Sequence, residues 1–443
     1  MALGPSGAGE GRGAGGSARP GAAGGARGPG RGGLRWVVVG GGPVGASVAR
    51  HLRAGAAGAG AEVTVVDGRA VGLPSSHADR ARIVRGADPE GDARWARRSA
   101  EALAGFPALE AAPGAPRFFT RCGALVLGPQ DFVERACAAS GGGGREQLQV
   151  TLPGTLAERW PYLAPALGCS VAAFDPQAGV MDPLAFCRAQ YAAAAAQYTA
   201  QEEEGRGGGA AWRVVPGEAV HVAEGLVELR TGEVLRGDRV VVCGGAGTRG
   251  LLEGSGLLPR GEMDGVRVSR RTVALLEVSV DCAGGLLRDM PSVKYAFRDP
   301  AAAAAAGGGG EQSRVEGSSV YVLPPVQYPE RGGRWFIKVG GGPNDWMEPP
   351  ARGLAEWLAS SGDQASASWL EGVLRRLMPG VPFLGRESMA CVTTISEAAG
   401  GDVLLLDLGG GVAAVSACQG KGAGPADAVG AEVAARLLRD VTD

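Results

Sequence analysis

The clearest pattern in the chain is an abrupt change of period near its start. Trp36-Val37-Val38-Val39 is a continuous apolar, β-branched run, which reads as a strand buried on both faces. Gly40, Gly42 and Gly45 follow in G-x-G-x-x-G spacing, and then apolar positions recur at helical intervals through about Leu52. A second apolar run, Val63-Thr64-Val65-Val66, closes on Asp67, 22 residues after Gly45. Strand, glycine turn, helix, strand and acid make a βαβ unit that holds a dinucleotide. Gly40 would permit the tight turn, Gly42 a close backbone approach to a pyrophosphate, and Gly45 close packing of helix on strand. The phosphates would rest on the helix N-terminus, where free N–H groups and the helix dipole favour anions. Asp67 would accept hydrogen bonds from a ribose.

Further along, helical periodicity covers Gly91–Phe106, Leu184–Tyr198 and Leu354–Met378, the last with a break near Gly362, and a final helix spans Pro425–Arg439. Strand patterns cover Phe118–Leu127, Ala219–Leu229, Arg239–Cys243, Val273–Val280, Ser319–Leu323, Trp335–Val339 and Val403–Leu408. Strand-rich middle blocks between β-α-β ends predict an α/β protein, α+β overall. A Rossmann-like dinucleotide-binding domain would be interleaved with a mainly antiparallel-sheet substrate domain. The expected partition gives 34–115, 151–255 and 385–440 to the first and 116–150 and 256–384 to the second. Residues 1–33, rich in Gly, Ala, Arg and Pro with Glu10 as the one acid, cannot bury an apolar face and are expected to be a disordered extension. Short runs at Gly141–Gly144, Gly207–Gly209 and Ala301–Gly310 read as lengthened surface loops.

Composition narrows the function by exclusion. With 443 residues the chain can bury two sizeable cores. A net charge of −2, from 44 basic and 46 acidic residues, gives no field to draw nucleic acid or an anionic membrane. Arg50 and Asp407 interrupt the two longest apolar stretches, short of the roughly 18–20 residues a membrane helix needs. Cys122, Cys137, Cys169, Cys187, Cys243, Cys282, Cys391 and Cys418 contain no C-x-x-C and look like thiols of a reducing compartment. No H-E-x-x-H, G-x-S-x-G or Cys/His cluster supports metal or serine chemistry. An intracellular location is expected: cytoplasm, peroxisome or another organelle. The basic, acid-poor N-terminus is compatible with a transit peptide, although it is Gly-rich with few serines. Val-Thr-Asp at the end is unlike a peroxisomal S-K-L-type signal.

Seven segments, in order, resemble one family. After the glycine turn with Asp67 comes S-S-H-A-D-R-A-R-I-V-R (Ser75–Arg85), similar to S-S-H-G-x-x-R-I-I-R with one residue more. F-T-R-C-G-A-L-V-L-G (Phe119–Gly128) and A-G-V-M (Ala178–Met181) follow. Next are V-V-V-C-G-G-A-G-T-R-G-L-L (Val240–Leu252), with Gly247 where Trp is usual, and Y-V-L-P-P-V-Q-Y-P (Tyr321–Pro329) with F-I-K-V-G (Phe336–Gly340). The last is C-V-T-T-I-S-E (Cys391–Glu397), similar to C-M-Y-T-x-T-P-D. The chain thus resembles the FAD-dependent amine oxidases of the D-amino-acid oxidase superfamily, nearest the monomeric sarcosine oxidase and peroxisomal sarcosine/pipecolate oxidase group.

The resemblance implies FAD as cofactor, with Gly40, Gly42, Gly45 and Asp67 on its ADP half. Ser75, Ser76 and His77 would hydrogen-bond the flavin or pyrophosphate, and Arg82 would neutralise charge near the ring. Val220 and Gly245 are also assigned to the cofactor, as are Gly420, Lys421 and Gly422 at the flavin's pyrimidine edge. Arg85 would grip the substrate carboxylate through its guanidinium fork. A lysine ending an apolar strand ordinarily reaches solvent, but the resemblance gives Lys338 a water held against flavin N5 and the reduction of oxygen. Cys391 would bond covalently to the flavin. The implied reaction is oxidation of a secondary or N-methylated amino acid to an imine, with oxygen as acceptor and hydrogen peroxide as product, by a monomer. Two departures stand out: Gly424 replaces a carboxylate-binding Lys, and Gly342 stands where an active-site His would follow Lys338 by four. They leave open a same-fold dehydrogenase using another acceptor, and a flavin-binding protein of low activity.

Overall fold

The computed structural model describes residues 33–55, 61–140, 149–151, 153–165, 171–203, 211–258, 261–297, 318–397 and 399–442. The expected disordered extension, Gly33 apart, and the inserts at 141–144, 207–209 and 301–310 lie outside them. Two large sheets and two three-stranded sheets carry ten α-helices among the described residues, a mixed α/β fold with a Rossmann-like domain, as the sequence implies.

The six-stranded sheet runs in the order Leu404–Asp407, Val412–Ser416, Arg239–Val242, Arg35–Val39, Glu62–Asp67, Trp212–Pro216. Every pairing is parallel except the first. Arg35–Val39 buries its last four side chains, which is why its sequence is continuously apolar. The chain leaves it toward Glu62–Asp67 on one side and meets Arg239–Val242 on the other, so a crevice opens beyond Gly40 and Cys243. The helix Pro43–Gly55 starts on a proline, whose missing N–H costs nothing at a first helical position. It crosses the final helix, Ala426–Thr442, so closely that a Cβ on Gly430 would lie 2.5 Å from Ser47 Cβ.

The nine-stranded sheet is antiparallel apart from the pairing of Ser292–Phe297 with Ala124–Gly128. Its centre holds Val266–Val278, Arg334–Gly341 and Ser318–Tyr328. The helix Gln364–Leu377 covers one face through Leu370, Val373, Leu374 and Leu377. Val171–Asp175 and Gly385–Ser396, assigned by sequence to the dinucleotide-binding segments 151–255 and 385–440, are strands of this sheet, paired with Ala124–Gly128 and Val266–Val278. A small sheet of Arg82–Val84, Gly179–Met181 and Phe119–Thr120 stands between the two large ones.

Three expected elements are each divided in two. The strand expected over Phe118–Leu127 is two, Phe119–Thr120 and Ala124–Gly128, in different sheets. Gly123, at φ +80°, turns the corner, and a Cβ there would lie 2.4 Å from the Phe174 ring. Ala219–Leu229 is a hairpin of Ala219–Ala223 and Leu226–Leu229, turning at Gly225 with φ +63°. Leu354–Met378 is two helices, Leu354–Ala359 and Gln364–Leu377, broken at the expected Gly362.

Candidate functional site

The glycine turn is built by exclusion of side chains. Gly40 takes φ +108° while its N–H donates to the Val66 carbonyl at 2.9 Å, and a Cβ would lie 2.4 Å from the Cys243 carbonyl oxygen. A Cβ on Gly45 would lie 1.9 Å from the Gly40 carbonyl oxygen. No other residue type fits either position. Gly42 is less confined, with His77 Cε1 3.3 Å from its ideal Cβ. Asp67 ends its strand beside the turn, and its carboxylate accepts from the Arg69 N–H at 3.0 Å. Tyr191 Oη donates to the Gly41 carbonyl at 2.9 Å and fixes the turn from the far side.

His77 brings the second loop against this turn. Burial, with Arg69 and Arg82 nearby, pushes its imidazole down to about 3, so it is neutral at pH 7. Ser75 Oγ is buried without a hydrogen-bond partner, as are Thr248 Oγ1 and Ser416 Oγ. Ser416 lines a hollow with Gly245, Ala246 and Thr394. Orphaned hydroxyls on Thr248 beside Gly244, on Ser416 beside Gly245 and on Ser75 in the His77 loop fit a polar ligand that satisfies them, as a dinucleotide does. Val220 lies at a β-bulge in the small hairpin sheet. Ala417, Gln419 and Gly420 have φ +54°, +52° and +69°, so two non-glycine residues hold left-handed backbone at the expected flavin edge. Gln419 secures that segment by donating to the Ser396 and Asp402 carbonyls at 3.1 and 2.9 Å.

Beyond the loop lies an ion cluster that sequence reasoning missed. Asp79 is 3 % exposed. One of its carboxylate oxygens accepts from Lys338 Nζ and, at 2.5 Å, from an Arg82 N–H. The other accepts from Tyr328 Oη at 2.8 Å and the Arg80 N–H at 2.6 Å. Lys338, 2 % exposed, also donates to the Ala81 carbonyl at 2.9 Å. Burial would raise the Asp79 carboxyl, but the charges of Lys338 and Arg82 outweigh it and hold the group well below the usual range. Burial and the Arg82 charge push Lys338 down to about 8 against the pull of Asp79, leaving it mostly a cation at pH 7. The usable signal was a lysine in an apolar strand, which demands a buried counter-ion, together with the extra acid in S-S-H-A-D-R.

Cys391 stands beside the same loop. Its Sγ lies 3.8 Å from the Ser76 carbonyl, which also accepts from Arg82. In register it faces Arg271. Tyr321 completes the wall, with Lys338 Nζ 5.7 Å from its ring centre, and a Cβ on Gly340 would lie 2.4 Å from Tyr321 Oη. Neither Tyr321 nor Arg271 was singled out from the sequence.

The expected substrate side is arranged differently. Arg85 makes no side-chain hydrogen bond or ion pair among the described residues, although its charge reaches Glu90 and Lys294. Lys421 is engaged with Asp88 at 2.8 Å and Glu90 at 3.4 Å, which ties it to that acidic pair. Gly422 packs against Cys418, and Gly424 against the Arg82–Val84 strand. At Gly342, with φ +86°, a Cβ would lie 3.1 Å from the Trp369 ring, so a histidine there would strain the backbone and have to displace that ring.

A family model described as "DAO: FAD dependent oxidoreductase" matches residues 35–436. No curated protein matches the chain. Among solved structures, it is similar to NikD, described as an unusual amino acid oxidase essential for nikkomycin biosynthesis, at 19% identity and TM-score 0.62, covering 91% of this chain and 94% of that one. It is similar to L-proline dehydrogenase from P. horikoshii at 16% identity and TM-score 0.65, covering 92% and 94%. Glycine oxidase from Bacillus cereus gives 15% identity and TM-score 0.60, covering 92% and 95%. At these identities the likeness speaks for the fold.

Proposed function

The chain belongs to the DAO family of FAD-dependent oxidoreductases, and on that premise we propose that it oxidises the C–N bond of a secondary or N-methylated amino acid, sarcosine- or pipecolate-like. Oxygen is the acceptor, and the products are an imine, which hydrolyses, and hydrogen peroxide. The observation that carries this reading is the Lys338 ammonium, fixed in the interior by Asp79 and the Ala81 carbonyl beside Cys391 and the Ser75–Arg82 loop. The names of the similar structures, two amino-acid oxidases and a proline dehydrogenase, support an amino acid as substrate.

FAD, when bound, would supply the redox chemistry, hydride acceptance from the carbon next to nitrogen and onward electron transfer. Gly40, Gly42, Gly45 and Asp67 would hold its ADP half. Ser75 Oγ and the neutral His77 ring would meet its central part, and Gly420 and Gly422 the flavin edge. Arg85, which makes no side-chain hydrogen bond or ion pair among the described residues, orients the substrate by its carboxylate. Lys338 keeps a cation where negative charge grows on oxygen, in a site that excludes water. Cys391 offers the thiol for covalent attachment.

A second reading, a dehydrogenase with another acceptor, is favoured by the Asp79 carboxylate, which offsets the Lys338 charge. One experiment separates the readings. The purified yellow protein is mixed anaerobically with a panel of amino acids while flavin absorbance is followed, and air is then admitted. Bleaching by secondary or N-methylated amino acids, and return of colour with peroxide, is expected. Bleaching without reoxidation by air favours the dehydrogenase. A colourless protein that FAD does not reconstitute, or no bleaching across the panel, ends the proposal.

A further inference from the structure

Arg270 and Arg271 are neighbours on the strand Val266–Val278, and their side chains point to opposite faces. Arg270 is neutralised by Asp345 at 2.8 Å. Arg271 is not. Its Nη1 donates to the Gly342 and Pro343 carbonyls, both at 2.7 Å, and its Nη2 to Asn344 Oδ1. Its Nε reaches Thr393 Oγ1 at 3.4 Å. All these acceptors are neutral, and among the described residues no carboxylate pairs with it. Burial lowers its pKa, the penalty of a guanidinium without a counter-charge. The side chain is nevertheless rigid, because three consecutive residues, Gly342 to Asn344, hold the fork in place.

The position of that charge is informative. Cys391 and Tyr321 lie within electrostatic range of both Arg271 and Arg82, and Tyr321 in turn lies under Lys338. Arg82, Lys338 and Arg271 therefore surround one locus, and Asp79 is the one carboxylate that pairs with any of them among the described residues. The excess of positive charge calls for an anion. The glycine turn for the pyrophosphate belongs to the six-stranded sheet, whereas Arg271 and Lys338 belong to the nine-stranded one. Lys421 is already committed to Asp88 and Glu90, and Gly424 brings no charge.

We infer that Arg271 is an anion-recognition residue of this site, taking a carboxylate of the substrate on the wall formed by Cys391 and Tyr321. The inference deepens the amino-acid reading above and rests on it. Arg271 stands on the large sheet opposite Cys391, whereas Arg85 follows the small-sheet strand Arg82–Val84 and its charge reaches Glu90 and Lys294, so the two arginines are separate cations and Arg271 is tested by itself. Fixing one end of the substrate with a preorganised charge and its one remaining N–H limits the orientations open to its amino carbon.

The test uses FAD-loaded wild type, Arg271→Gln and Arg271→Lys. Binding of propionate is read without turnover, from the perturbation of flavin absorbance, alongside FAD content and melting temperature. KM and kcat are then measured for an amino acid that bleaches the wild type. Arg271→Gln should weaken propionate and raise KM by about tenfold to a hundredfold, the worth of the one charge-assisted hydrogen bond that the remaining Nη2 N–H can make, with a smaller change in kcat. Arg271→Lys, which keeps the charge, should lose less than Arg271→Gln, and this comparison with wild type stands if the Gln variant does not fold. Wild type that does not bind propionate overturns the inference. So does propionate affinity unchanged in Arg271→Gln, an equal loss in both variants, or a loss of FAD affinity with propionate unchanged, which would assign the charge to the pyrophosphate. If no amino acid bleaches the wild type but propionate binding still depends on Arg271, the proposed reaction fails and the anion site stands.

Discussion

At the glycine turn, a single added carbon on Gly45 would sit 1.9 Å from the Gly40 carbonyl oxygen. At the ion cluster, Asp79 gathers two cations, a phenol and a backbone N–H onto one buried carboxylate. The first region keeps its shape because nothing larger than hydrogen fits, the second because one buried carboxylate pairs with two cations. Steric exclusion acts over one residue and is indifferent to pH and salt. Ion pairing couples distant segments and fails when one member is removed or titrated. The binding half of the site is thus robust to conditions and intolerant of sequence change, and the reactive half is sensitive to both.

Asp79→Asn should break the contrast most sharply, because it leaves Lys338 and Arg82 buried without an anion. A loss of about 3–5 kcal/mol is expected, read by urea unfolding. Burial and Arg82 oppose the Lys338 proton while Asp79 holds it. Wild type should therefore lose its Lys338-dependent step as pH rises through about 8, and the Asn variant should lose it at lower pH. Stability equal to wild type would show that pairing does not hold this region. Lys338→Met separates reactivity from structure. Reoxidation by air should slow about a hundredfold, in line with loss of one charge-stabilising group, while bleaching by substrate changes little; stopped-flow absorbance reads both halves. Gly45→Ala tests the steric side. Overpacking at this contact should cost about 1–3 kcal/mol and lower the flavin content of the purified protein, with no change in the pH profile; flavin content equal to wild type would mean that the turn relaxes.

At neutral pH the smallest effect belongs to His77, where the two regions touch. Its pKa is about 3 in the folded protein against 6.5 ordinarily, so the unfolded chain binds the extra proton between those values. The stability it permits is full above pH 6.5 and is lost as pH falls toward 3. His77→Gln should flatten the fall of melting temperature between about pH 6 and 4, and an unaltered slope would place the acid sensitivity elsewhere.

The same contrast explains what could be read from the chain alone. Gly40, Gly42, Gly45 and Asp67 are legible because their signal is local: a period change and four residue types within one βαβ unit. Lys338 and Cys391 emerge only from resemblance, since neither spacing nor periodicity marks them. Asp79, Tyr328 and Arg271 were missed because each matters through a partner distant in sequence. Short loops mislead in the same way. Gly123 and Gly225 look like ordinary strand glycines in the sequence, yet each turns the chain, the first into a different sheet.

The distances along the chain also set an order of assembly. The turn closes from Gly40 to Val66, 26 residues away, whereas Asp79 meets Lys338 across 259 residues. Loop-closure entropy rises with the logarithm of length, so the second contact costs about 2 kcal/mol more to bring together. During synthesis the first βαβ unit has left the ribosome long before Lys338 has been added. The lysine proposed to meet oxygen is thus among the last parts of the site to arrive, and a chain cut short before it carries the dinucleotide turn but not the cation for the reaction.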